Sequence, residues 1–220
     1  MSALYVYGFV DQPVKSFTVD GHRIEVVAAA SLHAAVERVS ERPALSEAFL
    51  RTQYEIVERL SDHAGAVLPA RFGAFVKDDE LNRLADLRGD DFRRGLEHVT
   101  GRVQMTVRLL SKKPPAHQRD ETSAPLTGTE YLHRRQEAAS SSLPEFAAPL
   151  CAAVGTLVVD TRVENRTRPA LTTIVHLVPK AQASRYRRLL RQAARRLGDE
   201  VTVSISGPQP PFAFVPEIWP

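Results

Sequence analysis

Apolar residues recur at helical spacing in two stretches of the chain. Between residues 45 and 64 the apolar positions fall three or four apart and the charged positions lie mostly elsewhere, which is typical of a helix with one buried face. Pro43 precedes this stretch and Gly65 follows it, as is usual at the two ends of a helix. Residues 181–197 repeat the pattern, and Gly198 ends it. The sequence therefore predicts two amphipathic helices far apart in the chain.

The opening of the chain is typical of β-structure. Leu4–Phe9 is short and rich in aromatic and β-branched residues. Asp20-Gly21, a dipeptide favoured in tight hairpin turns, joins residues 17–19 to residues 24–27. Residues 32–39 fit either a strand or a helical turn, and both interpretations stay open at this point.

The middle of the chain predicts a strand, a loop and two further helices. Residues 66–73 form a short strand that runs into a loop. Asp78-Asp79-Glu80 follows, and acidic residues suit the positive end of a helix that carries spaced leucines. Gly89 is expected to separate this helix from a second one, which begins with Asp90-Asp91. Residues 103–110 then alternate as a strand.

The second half of the chain begins with a segment that lacks any apolar period. Residues 111–127 are rich in proline and polar residues, which predicts a flexible linker. A helix over 128–142, ended by Pro144, and two β-rich segments at 156–163 and 171–178 come next. The second amphipathic helix and an alternating strand follow. This order resembles a ferredoxin-like βαββαβ unit whose first strand is missing or irregular.

The predicted fold class is α+β, with two small domains. The N-terminal α+β domain covers residues 1–110 and is followed by the flexible linker at 111–127. The C-terminal domain, a modified ferredoxin-like fold, covers residues 128–220 and ends in a proline-rich tail. A chain of 220 residues is long enough for either one large or two small domains.

Composition and charge exclude several classes of protein. Hydrophobic residues make up 43% of the chain and charged residues 25%, close to the average of soluble globular proteins. Neither a signal peptide nor an apolar stretch of about eighteen residues is visible, so we expect a cytoplasmic protein that binds no membrane. The single cysteine, Cys151, fits a reducing compartment. A net charge of only +3 argues against nucleic acid as a partner.

No constellation of catalytic or ligand-binding residues stands out. The 11 glycines include no phosphate-binding cluster and the 7 histidines are scattered singly, so neither a nucleotide site nor a metal site is predicted. Asp78-Asp79 and Asp90-Asp91 could bind Mg²⁺ or share a proton, but capping of the helices that they begin explains both pairs. Cys151 lies among apolar residues, which raise the pKa of a thiol. We therefore predict no catalytic residue and no cofactor, and a protein that is not an enzyme.

The last predicted helix concentrates positive charge. Its arginines are Arg185, Arg187, Arg188, Arg191, Arg195 and Arg196. Such a face can contact RNA phosphates or an acidic protein surface, although a solvated helix face is the commoner explanation. RNA-binding ferredoxin-like sheets usually stack bases on strand aromatics, and residues 201–205 contain none. RNA binding through this helix is the alternative function.

Residues 66–73 have the sequence Ala-Val-Leu-Pro-Ala-Arg-Phe-Gly. This motif is similar to the Val-Leu-Pro-x-Arg-Phe-Gly segment of the gas-vesicle GvpF/GvpL family. Residues 206–215, Ser-Gly-Pro-Gln-Pro-Pro-Phe-Ala-Phe-Val, resemble its Gly-Pro-Trp-Pro-Pro-Tyr-Ser-Phe ending. Residues 4–7, the pair Gly101-Arg102 and residues 128–132 add to the likeness, which extends over nearly the whole chain.

Three positions depart from the family pattern. Gln209 stands in place of a tryptophan and Phe212 in place of a tyrosine. The tryptophan common after Gly-Arg is absent from residues 103–105, Val-Gln-Met. The chain is therefore either an ordinary member or a diverged paralogue with another partner.

The resemblance implies a gas vesicle assembly or minor structural protein without a cofactor, located in the cytoplasm and on the gas vesicle. Its implied partners are the small hydrophobic shell protein and other gas vesicle accessory proteins. Its implied role is chaperone-like, because it would shield apolar surface that otherwise aggregates. The residues expected to bind a partner are Arg71, Phe72, Arg187, Arg191, Pro208, Pro210, Pro211, Phe212 and Phe214. A purely structural role stays open for both motifs.

Overall fold

Contacts between residues divide the chain into two units, each with its own sheet. The first unit comprises Met1–Val103 and Gln209–Pro220, and the second comprises Gln104–Pro208. The computed structural model describes residues 3–44, 46–111, 143, 145–167, 170–197 and 201–216.

The first unit is built on a six-stranded antiparallel sheet. Its strands are β1 (Ala3–Val10), β2 (Phe17–Val19), β3 (His22–Ala29), β4 (Leu32–Val39), β5 (Val67–Pro69) and β6 (Phe75–Val76). They lie in the order β2-β3-β4-β1-β5, and β6 also pairs with β1. Residues 32–39, which fitted two patterns, are thus a strand. Val19 pairs with His22, so Asp20-Gly21 is the turn of the predicted hairpin.

Two helices cover opposite faces of this sheet. Helix α1 (Glu47–His63) begins after Ser46, whose Oγ accepts a hydrogen bond from the Phe49 amide at 3.1 Å. It packs on the face that carries Tyr5 and Tyr7. Helix α2 (Asp78–Val99) packs on the other face, where the rings of Phe9 and Phe92 lie 4.2 Å apart between centroids. All eight residues of β1 are consequently buried.

Helix α2 is continuous from Asp78 to Val99, so the predicted break at Gly89 is wrong. Gly89 is buried within the helix, where packing of one apolar face outweighs the roughly 1 kcal/mol that glycine costs. Asp90-Asp91 therefore caps no helix. These carboxylates pair with arginines on the same helix, and Asp91 lies 2.6 Å from Arg88. The pKa of Asp91 is lowered, because it accepts hydrogen bonds from Arg88 and Arg94.

Among its described residues, the second unit has a four-stranded sheet and two helices. Its strands are β7 (Arg102–Ser111), β8 (Asp160–Thr167), β9 (Ala170–Pro179) and β10 (Val201–Gln209), in the order β10-β7-β9-β8. Its helices are α3 (Ala148–Val154) and α4 (Ala183–Ala194). Strands β8 and β9 form the predicted antiparallel pair. Helix α4 buries Ala183, Tyr186 and Leu190, as its periodicity predicts.

The division into units differs from the predicted boundaries in two places. Strand β7 was expected in the N-terminal domain, but it lies between β10 and β9 in the second sheet. The tail from Gln209 was expected in the C-terminal domain, but it groups with the first unit. Strand β7 precedes α3, β8, β9, α4 and β10 in the chain. The ferredoxin-like assignment itself stays a prediction.

Some predicted segments shift, and others lie outside the described residues. The segment predicted as a strand over 156–163 begins instead as a 3₁₀ turn, Gly155–Leu157, and β8 starts only at Asp160. Ser111 ends β7, while residues 112–127 of the linker and the helix predicted over 128–142 are not among the described residues. The α+β class is confirmed. No described helix combines the length and the apolar character that a membrane span requires.

Candidate functional site

The two motifs singled out in the sequence meet at one groove of the first unit. Its volume is about 470 Å³. Arg71 and Phe72 line it from the loop after β5, and Phe212 lines it from the tail. Helix α1 adds Leu50 and Tyr54. The remaining lining residues are Gln53, Pro69, Ala70, Ala213 and Val215. Segments about 140 residues apart in sequence thus build a single surface.

A buried hydrogen-bond network fixes the loop that carries Arg71 and Phe72. Tyr5 Oη donates to Gln53 Oε1 at 2.6 Å, and it accepts from the Gly73 amide at 2.9 Å. Gln53 Nε2 donates to the Ala70 carbonyl at 3.4 Å. Burial raises the pKa of the Tyr5 hydroxyl, which stays protonated and can donate. The floor of the groove is therefore held rigidly, with its amide groups already bonded.

Phe72 joins the groove to the core beneath it. Its ring meets Phe49 edge-on at 5.6 Å between centroids, and Phe49 meets Tyr5 at 5.1 Å. The Ala74 amide donates to the Arg71 carbonyl at 3.2 Å and closes the turn, which Gly73 permits with a φ of +85°. One side of Phe72 is buried in the cluster and the other faces the groove, while Arg71 is exposed.

The tail packs against both helices of the first unit. Phe212 stacks on Tyr54 with ring centroids 5.8 Å apart and an interplanar angle of 20°. Phe214 is only 4% exposed, and its ring lies 6.5 Å from that of His98 on α2. Pro210 and Pro211 are buried as well. Phe212 is thus the member of the tail motif that both supports the fold and lines the groove.

A second, more open concavity continues the groove along α1. Its volume is about 540 Å³, and it shares Leu50 and Tyr54 with the groove. Leu50 is 45% exposed and Tyr54 38% exposed, although both are large and apolar in most of their surface. The remaining lining residues are Glu47, Arg51, Glu55 and Glu58. An apolar strip bordered by carboxylates therefore runs along α1.

The other predicted partner-binding residues lie in the second unit. Arg187 is half-buried and donates to the Gly207 carbonyl, so it braces α4 against the end of β10. Arg191 and Pro208 are exposed. The structure therefore brings Arg71, Phe72 and Phe212 together in the first unit, and it places Arg187, Arg191 and Pro208 in the second unit.

The remaining polar clusters have structural explanations. Tyr7 Oη donates to Glu37 Oε2 at 2.8 Å, and His22 Nδ1 lies 3.0 Å from the same carboxylate, across neighbouring strands. Burial and Glu37 raise the pKa of Tyr7. Burial also raises the pKa of the Cys151 thiol, as the sequence predicts. Among the described residues, no three metal-ligating side chains come together.

Comparison with known proteins places this fold in a defined class. The family of gas vesicle synthesis proteins GvpL/GvpF matches residues 3–216, and the chain belongs to that family. The family is one of gas vesicle structural and assembly proteins rather than a known enzyme family. The predicted membership is thus confirmed, and with it a role related to gas vesicles.

Individual relatives agree with this membership. The chain is 26% identical over 200 residues to gas vesicle protein L of Streptomyces sp. (strain CB03234), with 76% of this chain and 74% of the relative covered. The crystal structure of GvpF from Anabaena sp. PCC7120 superposes with a TM-score of 0.75 at 15% identity, covering 98% of both chains. GvpF from Microcystis aeruginosa gives 0.74 at 13% identity, covering 97% of this chain and 98% of that structure. At these identities the two crystal structures show the fold alone.

Sequence reasoning missed the contribution of α1 to the groove. Leu50 and Tyr54 lie four residues apart, so they share one side of the helix, but the sequence pattern singled out neither of them, nor Gln53. Apolar residues on the polar side of an amphipathic helix were the available signal.

Proposed function

We propose that this chain is a gas vesicle assembly protein that binds the hydrophobic shell protein at the groove and keeps it from aggregating before it joins the vesicle. The observation that carries this proposal is the convergence of Phe72, Phe212, Leu50 and Tyr54 on one accessible apolar surface. A shell subunit that packs through apolar faces would aggregate unless these faces are shielded until it assembles with other subunits. No cofactor is needed for this role.

The groove is suited to reversible binding. Its floor is held by buried hydrogen bonds, so little ordering of the loop is needed when a partner arrives. Aromatic rings supply large contact areas at a low cost in side-chain entropy. Arg71 at the rim is exposed and adds positive charge to the edge of the groove.

The proposal predicts that Leu50→Asp weakens retention of the gas vesicle shell protein by at least tenfold. A carboxylate at this position would be desolvated by any apolar partner. The measurement is co-purification of the shell protein with the tagged full chain. Leu87→Asp is the matched control, because Leu87 is 81% exposed and lies on α2 away from the groove. Equal retention by both variants would contradict the proposed site.

The RNA-binding alternative depends on α4 in the second unit. Arg185, Arg188 and Arg191 are exposed there. However, β7, β8, β9 and β10 contain no Phe, Tyr or Trp on which bases could stack. Arginines alone give weak, sequence-independent binding to phosphates.

We therefore expect a short single-stranded RNA to be released between about 50 mM and 300 mM salt, as counterion competition predicts. Fluorescence anisotropy of a labelled oligonucleotide measures this release. Binding that persists at the higher salt and is lost in the double variant Arg188→Gln with Arg191→Gln would favour the RNA alternative.

A further inference from the structure

We infer that the groove and its extension along α1 receive an amphipathic helix of the partner, about three turns long, whose basic side faces Glu55 and Glu58. This inference rests on the proposed function, since it names the kind of segment that the groove would hold.

The two concavities together have the length of a short helix. They share Leu50 and Tyr54, and the open one follows α1 from Glu47 to Glu58. The twelve residues from Glu47 to Glu58 span about 16.5 Å of helix, or a little over three turns. A partner helix lying alongside α1 would place apolar residues at spacings of three and four against Leu50, Tyr54 and Phe72.

An extended segment fits this site less well than a helix. A bound strand needs backbone partners from a sheet edge. The outer strand on this side, β5, has three residues, all buried, and its last is Pro69, which has no amide hydrogen to donate. The Gln53 amide is already bonded to Tyr5 and Ala70. A ligand backbone in the groove must therefore satisfy its own hydrogen bonds, as a helix does.

The charges along the edges are uneven. Glu47 is exposed but paired with Arg51 at 2.5 Å, and Glu55 and Glu58 are the other exposed carboxylates that line the open concavity. The pKa of Tyr54 is raised by burial and by the nearby Glu58 carboxylate. The negative charge of Glu58 therefore acts on a residue of the apolar strip. Arg71 stands on the loop side of the groove. A helix with lysine or arginine facing α1 would complement these edges. A helix with carboxylates facing α1 would be repelled by Glu55 and Glu58.

The test uses three synthetic peptides and fluorescence anisotropy with the intact chain. The first peptide is helix-stapled, with leucines at i, i+3, i+4 and i+7 and lysines along one side. The second is its twin with glutamates in place of the lysines. The third has the composition of the first, but its apolar residues alternate as in a strand. We expect the lysine peptide to bind at least tenfold more tightly than either of the others at low salt.

The double variant Glu55→Lys with Glu58→Lys is expected to reverse the preference between the two stapled peptides. Asp86→Lys with Glu97→Lys is the matched control, because both carboxylates are exposed on α2 and the change in net charge is the same. Equal binding of the twins would overturn the inference, and so would a reversal by the control variant. Tighter binding of the alternating peptide would point to an extended segment instead.

The outcomes separate this inference from the proposed function. If Leu50→Asp no longer retains the shell protein, but the parent chain shows no preference for the lysine peptide, the helical ligand is overturned and the assembly role is kept. A clear preference for the lysine peptide without retention of the shell protein would keep the helical site and overturn its assignment to the shell protein.

Discussion

Replacing Gly8 by alanine is expected to lower the free energy of unfolding by about 3 kcal/mol, at the upper end of overpacking costs. Gly8 lies where the pairing of β1 with β4 shifts register, and it faces Pro69 of β5. A Cβ atom at this position would lie 2.5 Å from the Leu68 carbonyl oxygen and 3.1 Å from the Pro69 Cα. Both are backbone atoms, so relief requires β1 and β5 to separate. Urea unfolding followed by circular dichroism measures the loss.

Gly155→Ala is the control for this prediction. Gly155 has helical backbone angles, with a φ of −54°, and an added Cβ would meet nothing within 4 Å. Its free energy of unfolding should therefore change by no more than about 0.5 kcal/mol. Similar losses in the two variants would show that the close approach of β5 is not what requires glycine at residue 8. Because β5 leads into the groove, Gly8→Ala should also reduce retention of the shell protein.

Acidification from pH 7 to pH 4 is expected to remove about 3 kcal/mol from the stability of the second unit through one histidine. His176 is 3% exposed, and its Nδ1 lies 2.7 Å from the Tyr186 hydroxyl. Burial lowers the pKa of His176 from 6.5 to about 4. The unfolded chain therefore binds the proton first, and the stabilisation that is present above pH 6.5 is lost as the pH falls toward 4.

His176→Gln isolates this contribution, because all other titrating groups are common to both proteins. Urea unfolding of the parent and the variant at several pH values gives the difference between their free energies of unfolding. This difference should shrink by about 3 kcal/mol between pH 7 and pH 4. A difference that stays constant over this range would show that His176 titrates alike in the folded and unfolded chains.

Local pattern in the sequence predicts the elements well where one face is buried. The apolar spacing around Ile56 and Leu60 gives α1, and that around Tyr186 and Leu190 gives α4. The pattern fails at Gly89, because tertiary packing of α2 overrides a weak propensity. It also fails at residues 156–159, where β-prone residues form a 3₁₀ turn and an irregular segment before β8.

The assembly of the elements was harder to predict than the elements themselves. Alternation in residues 103–110 shows a strand but not which sheet it joins, since both sheets offer apolar faces. The same limit applies to the tail, whose aromatic residues gave no sign that Phe212 would stack on Tyr54. The motifs carried by Arg71 and Phe212 were recognised separately. Their meeting in one groove is a property of the folded chain alone.

The discontinuous make-up of the first unit has a consequence for its synthesis. A ribosome makes β1 through α2, then the whole of Gln104–Pro208, and only afterwards the residues that place Phe212 and Phe214. At usual elongation rates this interval lasts about 5 to 20 s. During this interval Tyr54 and the loop around Phe72 lack the packing contacts that the tail supplies. The nascent chain is thus exposed to the kind of apolar association that the finished groove is proposed to control.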